Sequence, residues 1–200
     1  MLQLLFFSLF ACSDLGFMKK IAPHRLAYRN YGESVWEVAE EEGLPYAYLM
    51  SLIVLECSGE LPCGNRTEDH VYKRLKQVKQ GTKSSYQHIR QQDLKKVSDQ
   101  GLQNLATSWG PFQLMGYQAI GLKSTVSEIR SVEHGVELGA RWIKKNYGGD
   151  LKAGRFKDAF HKHNTGQPYP ADGKPKTHDP KYVERGLHFM EVFSEKDYRF

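Results

Sequence analysis

Two hundred residues, 40% hydrophobic and 26% charged, fit one soluble globular domain with a single good core. No internal repeat or low-complexity tract is present, which excludes a repeat array. The net charge of +5 and pI near 9.0 point to contact with something acidic: nucleic acid, a membrane surface or an anionic polymer. Zinc-finger spacing and an RNA-binding aromatic signature are both missing, which argues against nucleic acid. Much of the excess charge lies between Lys73 and Lys96, so it describes an insert more than an active site.

The chain opens on MLQLLFFSLFACSD, apolar from Leu4 to Ala11 and too short to span a membrane. Residues 1–12 read as the core of an export signal. Leu9-Phe10-Ala11-Cys12 resembles a bacterial lipobox, which makes Cys12 the candidate lipidation site and membrane attachment point. A plain signal, or an apolar strip packed on the core, is the alternative. The expected location is exported: periplasmic, outer-membrane-anchored or secreted. Residues 13–32 are basic and irregular around Pro23 and read as a tether or N-terminal arm, ahead of a catalytic-size domain over 33–195.

Ser34 and Glu37 form a capping-box pattern that predicts a helix from Val35, stopped by Gly43. Pro45 then suits the first turn of a helix over Leu44–Gly59, LPYAYLMSLIVLECSG. Between Leu44 and Leu55 only Ser51 is neither apolar nor aromatic, and Glu56 follows Leu49, Leu52 and Ile53 by seven, four and three residues. That spacing puts a carboxylate on the buried face. Desolvation and the negative end of the helix dipole both predict a raised pKa, the property of a general acid near neutral pH. The opposing reading is that Glu56 begins a solvated loop. If Cys12 carries lipid, Cys57 and Cys63 remain as a pair that an oxidising compartment would bridge, contributing about 2 kcal/mol by loop closure. Zinc is disfavoured, because no second cysteine pair or spaced histidine pair accompanies them, and no metal or other cofactor is expected.

From Leu61 to Leu105 the chain turns polar and reads as a helical excursion: Val71, Leu75 and Val78 at helical spacing, a break over Gly81–Ser85, then a second amphipathic piece near Ile89–Val97. Its basic face is either a polyanion footprint or a solvated surface. Ala106–Gly121, ATSWGPFQLMGYQAIG, mixes glycines with aromatics, as where backbone approaches a ligand. Gln113 there is either a buried amide requiring partners or a substrate hydrogen-bonder. Ser131 caps a long helix carrying Val136, Leu138, Trp142 and Ile143, expected to end at Gly148-Gly149, with Trp142 in the core. A short helix over Arg155–His163 and a Pro/Gly-rich loop over Gln167–Thr177 follow. Asp179 and Pro180 then cap a final helix. The expected class is mainly α.

Four islands stand in order: Leu55-Glu56-Cys57-Ser58-Gly59, the block Ser108 to Gly116 (SWGPFQLMG), His163-Asn164-Thr165-Gly166, and Lys181-Tyr182-Val183. Over roughly Glu33–Phe193 they resemble the lysozyme-like superfamily of lytic transglycosylases and goose-type lysozymes. The nearest likeness is to bacterial and phage N-acetylmuramidase domains, which share the Ser-Trp-Gly-x-Phe-Gln-x-Met-Gly block and an acidic patch before it, here Glu68-Asp69-His70. The resemblance implies a single lysozyme-like domain with a helical insertion between the Glu helix and the Gly-x-x-Gln motif. It implies a monomer that cleaves the β-1,4 MurNAc–GlcNAc bond of peptidoglycan glycan strands, with Glu56 as general acid. It further implies Asp69 or Glu68 as a second carboxylate, and Ser108, Trp109, Phe112, Gln113, His163, Asn164 and Tyr182 as substrate contacts. His163 replaces the tyrosine of the Tyr-Asn-x-Gly motif, and Tyr182 is the candidate source of the missing hydroxyl. A hydrolase needs the second carboxylate; a transglycosylase returns Glu56 as base and closes a 1,6-anhydro ring. A non-catalytic wall-binding lipoprotein and a chitin-cleaving enzyme are the other readings.

Overall fold

The computed structural model describes residues 21–195 and Tyr198; the expected export segment, Cys12 and the start of the arm lie outside them. The chain is mainly helical, 62% helix and 6% strand. No helix among the described residues is long and apolar enough to cross a membrane.

Helix α1 spans Pro23–Glu42, and α2 spans Tyr46–Cys57. Strand β1 (Arg66–Thr67), helix α3 (Asp69–Lys79), the hairpin β2 (Ser85–Tyr86) and β3 (Ile89–Arg90), and helices α4 (Gln91–Leu94) and α5 (Asp99–Leu105) follow. Then come β4 (Thr107–Trp109), β5 (Leu114–Met115), α6 (Gln118–Leu122), α7 (Val126–Arg130), α8 (Val132–Lys152), α9 (Phe156–Thr165) and α10 (Tyr182–Phe193).

The centre is α2. Tyr48, Leu49, Met50, Leu52 and Ile53 are fully buried, and a helix apolar all round has to be enclosed. Each buried Leu or Ile contributes about 2 kcal/mol. Ser51, also fully buried, satisfies its hydroxyl on the Ala47 carbonyl at 2.6 Å. Helices α1 and α10 pack against α2, and α1 and α9 pack against α8.

Two expected boundaries move. Helix α1 begins at Pro23, so Ser34 lies inside it and residues 23–32 belong to the domain, not to a tether. The fixed φ of proline suits the first helical turn, and Ala27, Tyr31, Val35 and Ala39 form a buried stripe at four-residue spacing. Helix α8 continues through Gly148-Gly149 to Lys152 and bends at Tyr147, whose φ of −150° and ψ of 20° leave the helical region. Beyond the bend, Asp150 accepts from Arg155 at 2.7 Å and from Lys162 at 2.5 Å, fixing the end of α8 to α9. Asp150 is 8% exposed in its side chain and Arg155 54%, so the cluster is only partly screened. We expect Asp150→Ala to lower stability by about 2 kcal/mol in a urea titration. The Lys162 contact first, then Arg155, holds the Asp150 carboxyl below its ordinary range. Its stabilisation is therefore present above the unfolded carboxylate pKa and lost as the pH falls through the lowered folded value. The acid limb of stability should flatten in the variant, and an unchanged limb would refute this.

A second, smaller core unites Val71, Leu75, Val78, Ile89, Leu94, Leu102 and Leu105. The excursion expected over Leu61–Leu105 is thus a lobe with its own interior, built on α3, the β2–β3 hairpin, α4 and α5. An antiparallel sheet in the order β1-β4-β5 joins it to the main body, pairing Arg66 with Ser108 and Ser108 with Met115.

Candidate functional site

Glu56 occupies the last turn of α2, on the side where α2, α9 and α10 converge. The chain leaves the helix through Ser58 and Gly59, both left-handed at φ 55° and 71°. The Glu56 side chain keeps 16% exposure. Its Oε1 accepts a hydrogen bond from the Tyr182 hydroxyl at the start of α10. Burial first, and the Glu56 charge second, push the Tyr182 phenol well above its usual range, so it remains a donor at any working pH. Tyr182 therefore supplies a hydroxyl to Glu56, as expected from the replacement at His163.

His163 stands with Nε2 3.8 Å from the same Oε1. Its other contacts fix the tautomer. Nε2 lies 3.1 Å from the Phe112 carbonyl oxygen, which only accepts, so Nε2 carries the proton. Nδ1, 2.6 Å from the Tyr147 hydroxyl, is then the acceptor and Tyr147 the donor. Burial lowers the His163 pKa, against smaller opposing pulls from Glu56 and the Phe112 carbonyl. A histidine kept neutral in the fold but free to charge when unfolded makes stability fall as pH drops below about 6.5 toward the lowered folded value. His163→Gln should remove that part of the slope in melting temperature between pH 7.5 and 5.5. Parallel curves for the two proteins would overturn the assignment.

A groove of about 670 Å³ runs beside these residues. Arg66, Glu68, His70 and Val71 line one side, Trp142, Asn146, His163 and Asn164 the other. Glu56 does not itself line the groove; His163 and Tyr147, its neighbours, do. Of the two candidate second carboxylates, Glu68 faces the groove and Asp69 is exposed outside it. Glu68 is already engaged, accepting from Arg66 Nε at 2.6 Å with His70 Nδ1 3.6 Å away. It sits at the N-cap of α3 without making a capping bond, and His70 is largely exposed.

The remaining expected contacts divide. Asn164 is exposed on the groove wall. Gln113 reaches the groove edge with its amide committed: Oε1 accepts from Ser108 at 2.9 Å, and Nε2 donates to Gly64 and Gly110 carbonyls at 2.9 and 3.0 Å. The amide thus has its own partners, Ser108 among them, but the residue is half-buried and lines the groove, so it is not the enclosed amide of the first reading. Phe112 is 1% exposed and lies on α8, where a Cβ at Gly139 would come within 2.1 Å of its ring. Trp109 donates Nε1 to the Asn104 carbonyl at 2.8 Å, carries the Arg130 guanidinium 4.7 Å over its ring, and faces a separate 210 Å³ pocket. Neither ring offers a face to the main groove. The glycines of the block approach protein backbone, not a ligand: a Cβ at Gly110 would meet Ile129 O at 2.3 Å, one at Gly116 the Asn104 O at 2.1 Å.

Cys57 and Cys63 come together as expected, unbridged in this structure with sulfurs 2.7 Å apart. The Tyr31 hydroxyl lies 3.1 Å from Cys63 Sγ, joining the pair to α1. Groove residues not nominated in the sequence include Arg66, Trp142, Asn146 and Tyr147. Tyr147 gave no signal apart from the periodicity of α8, and Trp142, assigned to the core, lines the groove with its ring edge-on to His163 at 6.0 Å.

Comparisons with protein-family models, with curated proteins and with solved structures each found no match.

Proposed function

We propose that the chain is a lysozyme-like glycosidase with a helical insertion, cleaving the β-1,4 MurNAc–GlcNAc bond of peptidoglycan with Glu56 as general acid. The observation that carries this reading is the asymmetry of the Glu56 carboxyl. Its Oε1 is occupied by the Tyr182 donor and faces the His163 N–H, while among the described residues nothing bonds Oε2. Donors on one oxygen leave the other to hold the proton and present it to a glycosidic oxygen at the groove edge. His163, held neutral by burial, adds no full positive charge beside the carboxyl. Tyr182 orients the acid, and Asn164 and Asn146 supply hydrogen bonds for sugar hydroxyls or acetamido groups.

A second reading, lytic transglycosylation, is favoured by one observation. Among the described residues Glu68 is the carboxylate that lines the groove, and Arg66 already holds it. Return of the proton to Glu56 while the muramic 6-hydroxyl closes the ring needs no second carboxylate. Mass spectrometry of fragments released from purified sacculi separates the routes: reducing ends support hydrolysis, and 1,6-anhydro ends support transglycosylation. Release of neither overturns the glycosidase reading.

A further inference from the structure

The net charge of the protein is located in one place. Residues 69–105, the insertion lobe, carry eight Lys or Arg and three Asp, a balance of +5, and the other residues of the chain balance to zero. Six of the lobe's cations are exposed: Lys73, Arg74, Lys76, Arg90, Lys95 and Lys96. Among the described residues none of the eight enters an ion pair, whereas Arg66, Arg141, Lys144, Arg155, Lys162 and Arg185 outside the lobe all do. The lobe's acids are used elsewhere. Asp69, Asp93 and Asp99 stand in the first turns of α3, α4 and α5, where they complement helix N-termini. Uncompensated like charge on a lobe with a small core works against its own folding, and structural surfaces intersperse the two signs.

The placement says what such a surface meets. Val71, Tyr86 and Gln87 of the lobe line the main groove, so the lobe is one of its walls. The exposed large apolar side chains of the described residues are Ile21, Trp36, Leu61 and Val132, none of them in the lobe. A surface that binds membranes stably pairs its cations with apolar anchors; this one presents cations alone, as suits a hydrated polyanion.

We propose that the insertion lobe is a polyanion-binding surface that engages carboxylates of the polymer lying in the adjoining groove. The polymer's identity, peptidoglycan with its lactyl and peptide-stem carboxylates, rests on the glycosidase reading; the surface itself does not. Exposed cations hold such a chain by a sum of weak, salt-screened attractions, raising its local concentration along the groove.

The test uses the full protein and immobilised poly-L-glutamate as probe, with vesicles of anionic phospholipid in parallel. The wild type should bind poly-L-glutamate at 50 mM salt and lose about tenfold or more of that affinity by 200 mM. Reversal of Lys73, Lys76, Lys95 and Lys96 to Glu should cost at least about tenfold at 50 mM. Reversal of the exposed Lys123, Lys145, Lys152 and Lys174, an equal change of charge outside the lobe, should cost much less. On native sacculi the lobe variant should bind as weakly as wild type binds sacculi with amidated carboxylates. Equal losses in the two variants, a salt-independent affinity, or binding to vesicles without binding to poly-L-glutamate would each overturn the proposal. Lobe-dependent binding by a protein that releases no glycan fragments supports the surface and refutes the glycosidase, so the two fail separately. Circular dichroism melts of both variants show whether a lost affinity reflects lost folding; if the fourfold lobe variant melts early, the corresponding Lys→Gln set, with half the charge change, carries the same comparison.

Discussion

Glu56→Gln is expected to abolish release of soluble fragments from sacculi, by about 10³-fold or more, while the melting temperature stays within about 2 °C of wild type. The amide keeps the length and shape of the carboxyl, and its oxygen still accepts from Tyr182. What it lacks is a proton to give to the leaving oxygen, and general acid catalysis accounts for about 10²–10⁴-fold in rate. Stability is spared because the side chain is partly exposed and is tied to its surroundings chiefly through the oxygen that remains. Tyr182→Phe provides the graded comparison. It removes the donor from Oε1 but leaves the acid, so a smaller loss and a changed pH profile are expected. Full digestion by Glu56→Gln would sink the assignment outright.

Gly59→Ala is expected to be the most destabilising single methyl in the chain's first half, at about 3 kcal/mol. Gly59 holds φ +71°, and a Cβ there would lie 2.3 Å from the backbone nitrogen of Ala27 and 2.6 Å from its Cα. The left-handed backbone costs a non-glycine residue about 1 kcal/mol, and forcing α1 away from α2 costs about 1–3 kcal/mol more. The same contact carries the Asn30 amide to the Gly59 carbonyl at 2.8 Å and the Tyr31 hydroxyl to the Glu60 carbonyl at 2.7 Å, so those bonds loosen with it. For a domain of this size the melting temperature should fall by roughly 10 °C. Gly43→Ala isolates the backbone cost. Gly43 has φ +64° with nothing within 4 Å of its Cβ position, so about 1 kcal/mol is expected there. Equal melts for the two variants would show that the α1–α2 contact does not matter.

How much of this was legible in the residues depended on whether a signal was local. The central helix was, because an uninterrupted apolar run has no stable place but the interior, and its observed span, Tyr46–Cys57, lies within the expected one. The start of α1 was misplaced because Ser34 and Glu37 mimic a cap, while the deciding stripe of Ala27, Tyr31, Val35 and Ala39 is diluted by charged residues between. Gly148-Gly149 suggested a stop that α8 overrides, since Asp150, Arg155 and Lys162 hold the extra turn from outside. Glu56 was nominated on spacing and burial and Tyr182, 126 residues on, through the resemblance of its island, and the fold brings them into contact. Tyr147 was invisible because its part depends on a bend and on a histidine 16 residues away. The roles expected of Trp109 and Phe112 came from the resemblance of their block, which says nothing of which surface each ring covers.

The block from Ser108 to Gly116 is spent largely on internal contacts, although Gln113, Leu114 and Met115 also line the groove. Ser108 and Gln113 bond each other and neighbouring carbonyls, Phe112 seats on α8, and two glycines let separate backbones touch. It works as a joint, clamping the floor of the groove to the strand that leads into the lobe. Other groove side chains, Arg66, Asn146 and Trp142 among them, come from segments outside the four islands. What the groove admits is therefore set by its walls, while the joint beneath them sets how those walls are held.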